Sequence, residues 1–204
     1  MSTEPFTRVV LSDIGNVIVR ATHAITFAIL EDLGVASKDA RRFFANPAYV
    51  EFACGTIDGH EFARQIADFH VRGRLDERQV RMAHDAHIYD ADVGVLAALS
   101  RVTVPLMVAT DTNAWQADRV QQLVDIARLA RRVFRSDQLG ALKEHAGTFE
   151  RIASDIGEDP SRILFIDDSA HKIARAKRVG FDTVQFRDVQ QLVAALQVRH
   201  VLAT

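Results

Sequence analysis

The sequence predicts an α/β fold: a Rossmann-like three-layer core around a parallel sheet, with a small helical cap inserted after the first strand. Three observations carry this. Short apolar runs each end in a polar, acid-containing tip, amphipathic helical patterns separate them, and a long helical stretch interrupts the alternation after the first run.

The first run, Arg8-Val9-Val10-Leu11-Ser12, is short and β-branched and ends at the turn-forming cluster Asp13-Ile14-Gly15-Asn16. Leu106-Met107-Val108-Ala109 before Thr110-Asp111-Thr112-Asn113 repeats the arrangement, as does Ile163-Leu164-Phe165-Ile166 before Asp167-Asp168-Ser169. Runs this apolar suit strands buried on both faces. Arg132-Val133-Phe134-Arg135 predicts a fourth strand and Thr183-Val184-Gln185-Phe186 a fifth. Helical spacing covers Ala114 to Ala130, Thr148 to Ile156, and Ala170 to Val179, the last stopped by Gly180.

From about His23 to Ser100 the pattern is helical with little strand signal. Ile25, Ile29 and Leu33 form an apolar stripe closed by Gly34, and Asn46-Pro47 separates two segments. Phe62, Ile66 and Phe69 form a second stripe, opened by Asp58 and Glu61 at capping-box spacing. The expected division is therefore a core of residues 1–20 and 101–204 with a helical cap of residues 21–100. No internal repeat or heptad run is apparent.

Composition narrows the partners. With 25 Lys plus Arg against 27 Asp plus Glu, the 204-residue chain has no basic field for nucleic acid or an acidic membrane. Charges interrupt every apolar run short of a bilayer crossing. Met1-Ser2-Thr3-Glu4-Pro5 does not read as a signal peptide, and the lone Cys54, expected as a buried small hydrophobe, allows no intrachain disulfide. A cytoplasmic protein is expected, its oligomeric state left open.

In open parallel sheets, ligands gather beyond the C-terminal strand ends. There the chain offers, in order, Asp13, Thr110, Lys143 and the pair Asp167-Asp168. Each alone has a plainer reading: a turn or cap aspartate, a solvated lysine. The adjacent carboxylates are more telling, because they repel unless a cation is present. His84 and His87 lack an acidic ligand set and read as a solvated helix face, Trp115 and the phenylalanines as packing, and Arg128, Arg131 and Arg132 as a solvated helix end.

The ordered set Asp13, Thr110, Lys143, Asp167-Asp168 resembles the haloacid dehalogenase superfamily. Asp13-Ile14-Gly15-Asn16-Val17-Ile18-Val19 is most similar to the first motif of its small capped sugar-phosphate phosphatases, such as those acting on α-D-glucose 1-phosphate. The resemblance spans roughly Arg8 to Phe186. It implies a Mg²⁺-dependent phosphomonoesterase acting on a small phosphorylated metabolite through an aspartyl phosphate on Asp13. It further implies catalytic roles for Thr110 and Lys143, and a metal held by Asp13, Asp168 and the Gly15 carbonyl, with Asp167 in support. Asn16, Thr110, Asp111 and Lys143 would bind the phosphate.

Three departures stand out. Gly15 occupies the position where many relatives carry an acid–base aspartate, so that either His23 or His60 replaces it or the substrate has a good leaving group, such as an anomeric oxygen or an acyl phosphate. Asp111 replaces a common Asn, an added charge that opposes phosphate unless it is paired. Glu144 follows Lys143 and is placed to pair with it. Three alternatives therefore stand beside the phosphatase: a catalytically degenerate module binding phosphate or a partner, a metal-independent 2-haloacid dehalogenase, and a signalling receiver domain, which the motif order disfavours.

Overall fold

The computed structural model of the chain describes residues 6–71 and 75–203; the N-terminal segment 1–5 lies outside the described residues. Five strands, β1 (Val9–Ser12), β4 (Leu106–Thr110), β5 (Arg132–Arg135), β6 (Ile163–Asp167) and β7 (Asp182–Gln185), form one parallel sheet in the order β5-β4-β1-β6-β7. Alternation along β1 serves both faces. Val10 packs with Val108, Leu164 and Val184 on one side, and Val9 and Leu11 with Phe134, Phe149 and Phe165 on the other. Helices α6 (Val93–Leu99), α7 (Ala114–Leu123) and α12 (Val189–Val198) cover the first face; α10 (Thr148–Ile156) and α11 (Ala170–Val179) cover the second. This is the expected three-layer α/β core.

Between β1 and β4 the chain builds a helical bundle with its own core. Leu30 of α1 (His23–Asp32), Phe43, Phe52 of α3 (Pro47–Ala53), Phe62 and Ile66 of α4 (Gly59–Val71), and Val80 of α5 (Glu77–Asp85) pack together with Trp115 of the sheet domain. Local chemistry sets the ends. Asn46 caps α3 by accepting the Ala48 N–H at 3.0 Å, with Pro47 in the first turn, and Asp58 accepts the Glu61 N–H at 2.8 Å. Two glycines permit the close seam to the sheet domain. A Cβ on Gly59 would lie 2.4 Å from the Trp115 indole nitrogen, and one on Gly55 2.2 Å from the Asp137 carbonyl oxygen. Ser136 Oγ closes the seam by donating to the Ala53 carbonyl at 2.6 Å.

Several details differ from expectation. Two further strands, β2 (Val19–Ala21) and β3 (Ile88–Ala91), form an antiparallel ribbon beside the first strand's loop. The helical stretch 114–130 is broken: α7 ends where Val124 turns extended, and Asp125 then caps α8 (Ile126–Leu129). The most buried face of α1 carries Thr26 and Leu30, leaving Ile25, Ile29 and Leu33 partly exposed, because Thr26 donates to the Ala83 carbonyl at 2.7 Å. Phe69 is exposed and sits under the Arg42 guanidinium rather than in the bundle core. His84 and His87 are buried rather than solvated. Val95, Ala98 and Leu99 of α6 pack with the sheet, so the bundle's separate core runs from Leu30 to Ala83. Among the described residues no helix is long and apolar enough to cross a membrane.

Candidate active site

The sheet register brings the strand-end residues together. Asp13 follows β1 directly, and its N–H donates to the Ile166 carbonyl at 2.8 Å, so it sits beside Asp167 at the end of β6. Thr110 ends the neighbouring β4 and is buried. Lys143 comes from the loop after α9 (Ser136–Leu139), a loop held shut by the Thr148 hydroxyl donating to the Leu142 carbonyl at 2.9 Å. Its own N–H donates to Asp111 Oδ1 at 2.7 Å.

Lys143 is 2% exposed, and its ammonium lies 2.8 Å from Asp13 Oδ1, 2.7 Å from Asp167 Oδ2 and 3.1 Å from the Ala109 carbonyl. An ammonium so deeply buried is tolerable only with such partners. Glu144 is exposed, so the pairing with Lys143 envisaged from the sequence does not occur. Asp167 is fully buried, and its other oxygen accepts the Ser169 N–H at 2.9 Å. Burial raises the Asp13 carboxyl to about 6; Lys143 opposes the shift and Asp167 adds to it.

Carboxylate oxygens of Asp13, Asp167 and Asp168 lie within 4.8 Å of one another. An all-oxygen donor set of this kind suits a hard divalent cation. The charge balance agrees. Asp13, Asp111, Asp167 and Asp168 place four carboxylates against the two ammonium groups of Lys143 and Lys172, leaving two negative charges in excess when all are ionised.

Lys172 was not singled out in the sequence. From the first turn of α11 its ammonium reaches Asp111 Oδ2 at 2.9 Å. Burial alone would lower its pKa, but Asp13, Asp111 and Asp167 outweigh that and raise it. Burial resists ionisation of Asp111 in turn, yet Lys143 and Lys172 hold its carboxyl below the ordinary value. Asp111 is therefore paired, which answers the objection its charge raised.

Asn16 and Gly15 lie in the turn after Asp13. Asn16 adopts a left-handed backbone with φ 54°, and its side chain is exposed and accepts the Ala21 N–H at 3.0 Å, so it is engaged by its own loop. A Cβ built on Gly15 meets nothing within 4 Å. Of the histidines considered as a replacement acid, His60 is exposed and bonded to Glu77 at 2.7 Å, whereas His23 stacks on Phe44 with centroids 3.9 Å apart. His87 instead lines the same cavity as Gly15, Thr110 and Asp111. A signal for the buried histidines existed: His84 stands four residues after Val80, on the apolar face of α5.

No curated protein matches the chain. Among solved structures, it is similar to a haloacid dehalogenase family enzyme from Bacteroides thetaiotaomicron in complex with magnesium and inorganic phosphate, with a TM-score of 0.82 at 18% identity over 89% of this chain and 94% of that one. A predicted haloacid dehalogenase-like hydrolase from Porphyromonas gingivalis gives 0.82 at 20% identity over 94% and 98%. A 2-haloacid dehalogenase from Pseudomonas syringae pv. tomato gives 0.60 at 16% over 88% and 86%. Residues 4–180 match the family model of the haloacid dehalogenase-like hydrolases. With that match over most of its length, and this α/β core beneath the acidic strand ends, the chain belongs to the haloacid dehalogenase-like hydrolase family.

Proposed function

We propose that the protein is a Mg²⁺-dependent phosphomonoesterase in which Asp13 is the nucleophile. The single observation that carries this is the convergence of Asp13, Asp167 and Asp168 beside the buried Lys143 ammonium. An isolated carboxylate needs no such company to attack carbon, whereas attack on a phosphate dianion requires cations around it. The magnesium and phosphate bound by the Bacteroides enzyme support the same reading.

Asp13 would attack phosphorus in line, forming an aspartyl phosphate as the bond to the leaving oxygen breaks. Water then attacks the same phosphorus, releasing inorganic phosphate and regenerating the carboxylate. Lys143 holds Asp13 in place and offsets the charge that gathers on the phosphoryl oxygens, and the Thr110 hydroxyl donates to one of them. Lys172 keeps Asp111 neutralised so that it does not repel the phosphate. Asp13, Asp167, Asp168 and the Gly15 carbonyl would hold the metal, which supplies Lewis-acid stabilisation of the phosphoryl charge. The helical segment from 21 to 100 would act as the cap that closes over this site, acting on a small phosphorylated metabolite. Because Gly15 lacks a carboxyl, the leaving oxygen takes its proton from water, and esters with good leaving groups react best.

The dehalogenase reading draws on the neighbouring dehalogenase structures but leaves the clustered acids without a task. Hydrolysis of p-nitrophenyl phosphate, acetyl phosphate and sugar phosphates, with Mg²⁺ and with chelator, tests the proposal. Mg²⁺-dependent turnover lost in Asp13→Asn is expected; haloacid turnover that survives chelator would overturn it.

A further inference from the structure

Next to the strand ends lies a cavity of about 320 Å³, lined at one end by Gly15, Thr110 and Asp111. Its body is aliphatic: Val19 and Ile88 of the β2–β3 ribbon, Val120 of α7, Ile126 of α8 and Val133 of β5 form the walls. Of the polar lining residues, Gln121 and Gln138 are exposed to solvent, and those deeper in the wall are already committed. Arg135 makes a two-pronged bond to Asp137, at 3.0 and 2.5 Å.

His87 and Gln116 are committed to each other. His87 Nδ1 contacts the His84 carbonyl, which only accepts, so the proton sits on Nδ1 and Nε2 is an acceptor. Gln116 Nε2 donates to that nitrogen at 3.0 Å and to the Tyr49 hydroxyl at 2.9 Å. This tautomer selects one orientation of the amide. The remaining Gln116 oxygen is buried without a partner and closed to solvent, so this amide presents no open polar atom to a ligand. A sugar would bring a hydroxyl on nearly every carbon, and those facing the aliphatic walls would lose their water without a partner.

We infer that this cavity is the leaving-group site and that the substrates are phosphomonoesters of compact, largely apolar hydroxyl compounds rather than sugar phosphates, aryl or enol esters turning over faster than alkyl esters of the same size because Gly15 supplies no acid. The inference rests on the phosphatase reading above, and it departs from the sugar-phosphate expectation drawn from the sequence. Burying methylenes in the cavity would supply binding that a polyol cannot obtain there.

The test is a series of n-alkyl phosphates from methyl to hexyl, with glycerol 3-phosphate and glucose 6-phosphate, measured as substrates and as competitors of p-nitrophenyl phosphate in Mg²⁺. Each added methylene is expected to tighten binding roughly fourfold until the cavity is full. Ala117→Phe and Ala127→Trp, which narrow the cavity from α7 and α8, should flatten that dependence by lowering kcat/KM for hexyl far more than for methyl phosphate. Equal affinity along the series, or tighter binding of glucose 6-phosphate, would overturn the inference while Mg²⁺-dependent turnover of the aryl ester left the phosphatase reading intact. Calorimetry with alkylphosphonates separates the two failures. Chain-length-dependent binding without turnover of any ester would overturn the phosphatase reading and keep the apolar site.

Discussion

Lys172 is the residue whose importance only the folded chain reveals. Its ammonium lies 2.9 Å from Asp111 Oδ2, while the other oxygen of that carboxylate receives the Lys143 N–H. Truncating it as Lys172→Met would leave a nearly buried carboxylate beside the proposed phosphate position. We expect kcat/KM for p-nitrophenyl phosphate to fall about 10- to 100-fold, in line with the loss of a partner from a buried charge pair. The double variant Lys172→Met/Asp111→Asn should recover much of it, since the orphaned charge is gone. Equal losses in the single and double variants would refute that pairing role. Gly15 gives the converse case. The space around its missing Cβ is open, so Gly15→Asp should fit and supply the absent acid. Steady-state kinetics should show alkyl esters gaining at least ~10-fold relative to the aryl ester, within the usual reach of general acid catalysis.

At the scale of elements, the seam between helical bundle and sheet domain depends on side chains that are absent. Gly59→Ala would press a methyl group against the Trp115 indole, 2.4 Å from its nitrogen. A destabilisation of about 1–3 kcal/mol is expected, typical of overpacking, read by denaturant unfolding followed on the fluorescence of Trp115, the sole tryptophan. The five core strands were legible because parallel strands covered on both faces read as continuous apolar runs. β2 and β3 were not, since Val19–Ala21 is only 3 residues long and Tyr89 and Asp90 of β3 are exposed. The break after Leu123 carries neither Gly nor Pro; its signal was Asp125, whose side chain accepts the Arg128 N–H at 3.2 Å. Lys143 and the acidic pair were legible because each follows a strand signal. Lys172 was hidden because it lies within a basic helix and meets Asp111 only through the crossover of the sheet.

Over the whole molecule, two buried groups pull stability against pH in opposite directions. Burial pushes His87 down to about 4, so the unfolded chain takes up its proton near 6.5 while the folded chain resists. That stability is present above pH 6.5 and lost as pH falls through 4, on the order of 3 kcal/mol. His87→Gln should flatten this limb of the stability curve. Asp13 acts the other way. Its carboxyl is raised from 3.8 to about 6 in the folded chain, so its contribution is fully present below 3.8 and lost as pH rises through 6. In metal-free protein the stability of Asp13→Asn relative to the parent should therefore rise as pH climbs from 3.8 through 6. Denaturant unfolding across pH checks both signs; a stability difference between Asp13→Asn and the parent that does not change through pH 6 would contradict the second. The same substitution is thus expected to remove this pH dependence and abolish the activity.

The most direct test of the central claim is mass spectrometry of the enzyme acid-quenched during turnover of p-nitrophenyl phosphate in Mg²⁺. The account predicts one phosphoryl group on the peptide containing Asp13, absent without Mg²⁺ and absent in Asp13→Asn. Mg²⁺-dependent turnover that persists in Asp13→Asn, with no phosphoryl group on that peptide in the parent, would contradict it.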